Sequence, residues 1–376
     1  MNDLENRNSI GYEKRIFAFI DILGFGDLVE ESEHDPTKIL RIYQLLNRTR
    51  ETAHLPVSHQ FQTLQVDLKR FRSHTFSDTV TMSCPYESFD YFNAMVAWVM
   101  QYQYLMWAEE GVFIRGSIVY GDVFDNENST IVFSPAMISA YRLEKEKAKW
   151  PRILVDQSVL NKLPEDKKQR ALHEYLRKEG KEIYYLDYLR DLFALTAYDR
   201  GRRLKNPYDA IRLIQDHKIA IEREVDHIRN RRRLIQRSDM KARRVLKKYG
   251  SLAKYHNLVI DKLCKVVSQL LNDSNLVRNI ISETMLYALI RELKRQQDLQ
   301  LEPEYTAENL KYVDIMPVLG IAIDQIFAEH HDLDGIVEEE PIKLVNFLCE
   351  ESPKYLSKVE KNLRGMKIDI DILLGR

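Results

Sequence analysis

Three groups in this 376-residue chain stand where they could act on a phosphate. Asp21 closes the apolar run "RIFAFIDIL" and is followed at once by Gly24-Phe25-Gly26. A carboxylate at the C-terminal end of a strand offers a hard oxygen ligand to Mg²⁺ or Mn²⁺. The turn behind it opens a helix, whose first amides and glycine-permitted close approach cradle anionic oxygens. Asp78 stands in "HTFSDTVTMS", at the tip of an expected hairpin, where by itself it is an ordinary turn residue. If that hairpin lies beside the first strand, two carboxylates meet at one edge. They can then hold one or two divalent cations against a triphosphate, as two-metal phosphoryl transfer requires. Arg142, in "SPAMISAYRLEKEKAKW", can stabilise charge that develops on a phosphate. The plainer alternative pairs it with Glu144 or Glu146 on a solvated helix face.

These groups need a scaffold, and the first half of the chain has the pattern for one. "RIFAFIDIL" is a continuous apolar β run, suited to a strand covered on both faces. A helix is expected over 36–53, capped by Asp35 with Pro36 in its first turn. Residues 68–84 read as two strands about a tight turn near Ser77 and Asp78, and "SFDYFNAMVAWVMQYQYLMWAEEG" as a long apolar helix closed by Gly111. "VFIRGSIVYGDVF" and "STIVFS" are strands, and the Arg142 helix starts with Ser134 at its cap and Pro135 at its first position. "RILVD" and "EIYYLDYL" complete the strands. The order β-α-β-β-α-β-β-α-β is an α+β pattern, expected as a sheet with two or three helices on one face.

Strand signals stop after about residue 205, and "LKNP" (204–207) is the best boundary. Helices are expected over 207–248, 250–272, 276–298, 306–329 and 340–363. "REVDHIRNRRRLIQRSDMKARRVLKK" is basic and "AEHHDLDGIVEEE" acidic. Without a nucleic-acid motif, a solvated helix face explains the basic run better than nucleic-acid binding does. "HHD" at 330–332 reads as a polar loop, and "KYHN" at 254–257 as packing or capping a helix end.

Composition narrows the classes further. Net charge is −1, so total charge points to no partner. Cys84, Cys264 and Cys349 are far apart, which makes neither a disulfide framework nor a zinc site and fits a reducing cytoplasm. The polar start "MNDLENRNSIGYEK" is no signal peptide, and no window approaches the roughly 18 apolar residues of a membrane span.

Taken in order, "FAFIDILGFGDLV", "HTFSDTVTMS", "FIRGSIVYGDVF" and "VFSPAMISAYRLE" resemble the catalytic domain of class III nucleotidyl cyclases, over roughly residues 12–158. The resemblance implies a ferredoxin-like α+β catalytic domain at 12–190 and an α-helical C-terminal domain at 205–376. It implies metal ligation by Asp21, Asp78 and the Ile22 backbone, with Mg²⁺ or Mn²⁺ as cofactor. Leu23, Gly24, Phe25 and Gly26 would hold the phosphates, and Arg142 would act on the transition state. The implied reaction is attack of the ribose 3′-hydroxyl on the α-phosphate, giving a 3′,5′-cyclic nucleotide and pyrophosphate. A homodimer with sites at the subunit interface is implied too.

The departures bear on the base. The family's ribose-orienting Asn position holds Ile138; the purine-reading position holds His74, and its partner falls near Ile131. A purine pocket is therefore not reproduced, while His74 can donate or accept at a pyrimidine edge according to its tautomer. Bacterial anti-phage pyrimidine cyclases share this pattern, which implies UTP or CTP as substrate and a diffusible cyclic nucleotide read by a separate effector. Two alternatives stay open: an inactive cyclase-like module that dimerises or senses nucleotide, and a nucleic-acid binder acting through residues 223–248.

Overall fold

The computed structural model describes residues 11–54, 65–125, 132–190, 192, 208–235, 240–282, 315–333 and 341–375. The protein is of mixed α+β class. It packs as two units, Met1–Tyr188 with Arg223–Leu252, and Leu189–Glu222 with Ala253–Arg376.

The first unit is built on β1 (Glu13–Ile22), in which every residue from Arg15 to Ile20 is buried. Successive side chains of a strand point to opposite faces, so unbroken burial means that both faces are covered. On one face Phe17 and Phe19 meet Val119 and Val123 of β4 (Ile114–Asp125) and Ala136 and Ala140 of α4 (Pro135–Lys147). Ile16, Ala18 and Ile20 face the other way and are equally buried. The expectation of helices on one face is corrected accordingly.

Helices α1 (Phe25–Ser32) and α2 (Pro36–His54) follow β1. Asp35 caps α2 by accepting from the Thr37 amide at 3.0 Å. Then come the hairpin β2 (Arg72–Phe76) and β3 (Thr79–Pro85), the long apolar α3 (Phe89–Ala108) and β4. The Ser134 hydroxyl accepts from the Met137 amide and starts α4, as the Ser-Pro pair predicts. Beyond β5 (Val132–Phe133) and α4 lie β6 (Ile153–Val155), α5 (Gln157–Leu160), α6 (Glu165–Glu174), β7 (Leu176–Glu179) and β8 (Ile183–Leu186). The sheet order is β2-β3-β1-β4-β6-β8-β7, and β5 pairs with the end of β4. Only β4 and β6 pair in parallel among these neighbours. The strand β7, "LRKE", carries no β signal of its own; pairing with β8 creates it, and its two charged end residues are exposed at the sheet edge.

One glycine of "FIRGSIVYG" is explained by this packing. A Cβ on Gly116 would stand 2.3 Å from the Phe19 carbonyl oxygen and 3.0 Å from Ile153 Cδ1. Gly116→Ala is expected to destabilise the protein by about 2–3 kcal/mol, because the obstructing atom is backbone and the central strands must part. Urea denaturation checks this, and an unchanged midpoint would contradict it.

Helices α7 (Tyr208–Ile235) and α8 (Met240–Asn272) divide between the units, with 223–235 and 240–252 in the first. The break expected near residue 249 is absent: α8 runs through Gly250. Its buried stripe of Leu246, Tyr249, Leu252, Leu263 and Val267 continues on both sides, which outweighs the ~1 kcal/mol cost of a helical glycine. The second unit holds the remaining parts of those helices, helical residues 274–282, α9 (Met316–Glu329), α10 (Pro341–Gly365) and α11 (Ile370–Leu374).

At the centre of the second unit His217 and His256 stack with Nδ1 atoms 3.0 Å apart, and His256 Nε2 meets the Met366 carbonyl at 3.0 Å. Burial pushes His256 down to about 4 and holds His217 well below the usual histidine range, so both are neutral at pH 7. Asn257 donates to the Ile368 carbonyl and accepts from its amide, so "KYHN" packs and caps as expected. His330 ends α9 with its ring edge-on to Phe347. Residues 204–207, Ile131 and 283–314 lie outside the described residues. Among the described residues no helix is long and apolar enough to cross a membrane.

Candidate active site at the end of the central strands

The sheet brings the two aspartates together. In the antiparallel register Asp21 pairs with Thr79 of β3, and the Ile22 amide donates to the Asp78 carbonyl at 3.2 Å. Asp78 closes the two-residue turn Ser77–Asp78, in which Ser77 has φ 54. A serine in that left-handed region costs about 1 kcal/mol, and such outliers cluster at functional sites. Asp21 is half-buried, and the Asp78 carboxyl stands close enough to act on it. Burial raises its pKa, Arg115 opposes the rise, and the Asp78 charge adds to it. Two carboxylates this close repel when both are ionised, and a cation between them removes that repulsion.

A second ring of charge fixes Asp21. Its other sheet partner is Arg115 on β4, whose Nη2 and Nε stand 3.2 and 3.3 Å from Asp21 Oδ2. Arg115 Nε also stands 2.6 Å from Glu144 Oε1, on α4. Glu144 is buried, which raises its pKa, and Arg115 opposes the rise. Glu144 is thereby the partner of Arg115 and not of Arg142. Arg142 lies exposed on α4 and, among the described residues, has no ion pair. Near it on the same helix Ile138 and Tyr141 are exposed as well.

The turn after Asp21 is built for an anion at its helical end. The Leu23 amide is engaged with the Phe113 carbonyl at 2.9 Å, as Ile22's is with Asp78. Gly24 caps α1 at φ 84, a conformation that demands glycine. The amides of Phe25, Gly26 and Asp27 open α1 with no acceptor one turn back, whereas the Leu28 amide donates to the Gly24 carbonyl at 3.1 Å. A Cβ on Gly26 would meet nothing within 4 Å, and its φ is not left-handed, so no contact inside this chain calls for glycine there. The open space lies beside the first amides of α1, where a phosphate can approach. Phe25 itself is buried and anchors the helix.

The donor set fits a hard divalent cation that takes part of its shell from substrate and water. Asp21 and Asp78 supply carboxylates, and Ile22, with its side chain buried, can contribute only its backbone. Among the described residues no group of three or more His, Cys, Asp or Glu forms a metal cage. Mg²⁺ is held in just this way, by one or two carboxylates plus phosphate oxygens and waters.

His74 sits on β2 opposite Thr81, its ring stacked with that of Phe76 at 6.1 Å and 15°. Phe76 is 40% exposed and presents a flat aromatic surface. The structure thus gathers Asp21, Asp78 and the turn after them at one place, and sets His74 and Arg142 on separate elements. Sequence reasoning missed Arg115 and Glu144 as the pair that orients Asp21. The "FIRGS" strand was visible, but which of its residues faces Asp21 is a matter of register.

No family model and no curated protein matches this chain. Among solved structures, a bacterial light-regulated adenylyl cyclase is similar at a TM-score of 0.31 and 16% identity, covering 47% of this chain and 91% of that one. At that TM-score the likeness decides nothing about this chain.

Proposed function

We propose that the first unit is a nucleotidyl cyclase with a ferredoxin-like core, converting a pyrimidine nucleoside triphosphate, UTP or CTP, to its 3′,5′-cyclic monophosphate and pyrophosphate. The observation that carries the reading is the meeting of Asp21 and Asp78 at one sheet end, directly before the free amides of α1. The β-α-β-β-α-β unit with spatial order β4-β1-β3-β2 supports the core assignment.

Asp21, Asp78 and the Ile22 backbone would hold Mg²⁺ or Mn²⁺, which when bound polarises the α-phosphate and acidifies the 3′-hydroxyl. The helical end of the turn, Gly24–Gly26, receives the phosphates, since the Leu23 amide is engaged with the Phe113 carbonyl. The 3′-oxygen forms a bond to the α-phosphorus as the bridging bond to the β-phosphate breaks. The hydroxyl proton passes to solvent and pyrophosphate leaves. Arg142 meets the charge that develops on the phosphoryl oxygens. His74 reads the pyrimidine edge, with Phe76 as its stacking neighbour.

The site is completed by a second copy of the chain, with Arg142 of one protomer facing the aspartates of the other. Phe133, Ile138 and Tyr141 support this: they are 50%, 54% and 44% exposed, an apolar strip around Arg142. The product acts in the cytoplasm as a second messenger for a separate effector, in defence against phage. That last assignment follows the sequence resemblance.

The test is direct. Purified protein is incubated with each of ATP, GTP, UTP and CTP in Mg²⁺ and in Mn²⁺, and products are identified by mass spectrometry. A cyclic pyrimidine nucleotide with equimolar pyrophosphate is expected. Absence of cyclic product from all four would refute the enzyme, and a cyclic purine would refute the base assignment.

A further inference from the structure

Arg115 is shared between two carboxylates, and the sharing is unequal. Its Nε and Nη2 groups donate to Asp21 Oδ2 at 3.3 and 3.2 Å, both long for charge-assisted bonds. Glu144 Oε1 lies nearer to Nε, at 2.6 Å. The single Nε–H is nevertheless directed at Asp21, and Glu144 Oε1 accepts no hydrogen bond among the described residues. Glu144 is only 2% exposed, so solvent does not serve that oxygen either. A buried carboxylate oxygen without a donor is unfavourable, and the nearest donor is already beside it.

The carboxylate is fixed in place, whereas the guanidinium can turn. The buried Ser117 hydroxyl of β4 donates to the Ala140 carbonyl at 2.7 Å, which ties α4 to the strand one helical turn before Glu144. The Arg115 side chain is on a long stem and keeps 24% of its surface exposed. A small rotation of its head aims Nε–H at Glu144 and draws the group away from Asp21. One N–H serves one acceptor well, so the two pairings compete. A divalent cation on Asp21 would repel the guanidinium and decide that competition.

We propose that Arg115 stands in for the cation on Asp21 while the metal is absent. Glu144 is the positioning residue that takes the guanidinium when Mg²⁺ or Mn²⁺ binds, a role that rests on the cyclase reading of Asp21 and Asp78. Glu144 thereby sets the affinity of the site for the divalent ion. The exchange replaces one hydrogen bond with another and moves no proton. An Arg115 that merely oriented Asp21 would act with the opposite sign, because removing it would loosen the ligand and weaken metal binding.

The experiment measures Mn²⁺ binding to the full-length protein, without nucleotide, by calorimetry. The proteins are wild type, Glu144→Gln, Arg115→Met and the double variant. Glu144→Gln is expected to weaken Mn²⁺ binding by about 10- to 100-fold, the value of one charge-assisted hydrogen bond. In the Arg115→Met background the same change alters affinity by less than about threefold, because no guanidinium remains to be withdrawn. The double variant binds Mn²⁺ at least as tightly as wild type. An equal loss in both backgrounds is the mark of long-range attraction to Glu144 and would overturn the proposal. Weaker binding by the double variant than by wild type would do so too, as would no Mn²⁺ binding by wild type. Arg115→Met leaves Glu144 buried without its partner, so thermal melts establish folding and a second measurement is made on wild type. There the Arg115 Nε–H NMR signal, assigned by its loss in Arg115→Lys, is expected to shift on adding Mg²⁺; a signal unmoved at saturation contradicts the exchange. The two readings fail separately. Cyclic product with an equal loss in both backgrounds keeps the cyclase and removes the exchange. The coupled pattern without cyclic product from any nucleotide keeps the exchange and sinks the cyclase.

Discussion

Replacing Asp21 by asparagine is expected, on the proposed cyclase reading, to lower cyclic-nucleotide formation by about 10³-fold or more, the scale of a metal ion's contribution to phosphoryl transfer. The same substitution makes the metal-free protein more stable at neutral pH. The sign follows from the raised pKa of Asp21, whose largest cause is burial and whose second raising cause is the Asp78 charge. A carboxyl whose folded pKa lies above its unfolded value favours folding when protonated, and that contribution is lost as pH rises through the folded pKa. Above its folded pKa the ionised Asp21 is a net cost, which the neutral, isosteric asparagine removes. Arg115 retains its pair with Glu144 in the variant. Asp78→Asn is expected to abolish turnover likewise and to relieve the same repulsion. Activity assays with thermal melts in chelator check both halves. Full activity in either variant would exclude metal ligation there. Lost activity together with a lower melting temperature would mean that Asp21 serves the fold and not the chemistry.

Arg142→Ala is expected to lower kcat by about 10²- to 10³-fold, the cost of removing one donor to developing negative charge. Its melting temperature stays near wild type, because Arg142 is exposed and, among the described residues, unpaired. The sharper measurement mixes the inactive Asp21→Asn and Arg142→Ala proteins. If each site combines the aspartates of one protomer with the arginine of its partner, the heterodimer regains one intact site. An equal mixture then recovers about a quarter of wild-type activity, since half the dimers are mixed and each has one good site of two. No recovery, with both proteins dimeric and exchanging, would place Arg142 in its own chain's site or outside the chemistry.

Much of this architecture is local in origin and was legible in the residue order. The apolar run of β1 ending in Asp21 needs only its own composition. The Ser134–Pro135 start of α4, the Asp35 cap of α2 and the Ser77–Asp78 turn are set by side chains within a few positions of the backbone they serve. The candidate aspartates were recognisable for the same reason, each standing at the end of an element with a strong local signal.

What the tertiary structure alone decided is which residues face one another. That Asp21 lies across from Thr79 and Arg115 is a property of strand register, and a slip of one residue would turn the whole pattern over. Glu144 looked like a surface partner for Arg142, but docking of α4 on the sheet buried it against Arg115. The strand β7 exists because β8 is there to pair with it, and α8 passes through Gly250 because its buried stripe runs on. Residues close in sequence constrain each other through a few shared dihedrals, whereas these contacts come from long-range burial and pairing, in which each residue's partner is chosen by the packing of the whole unit.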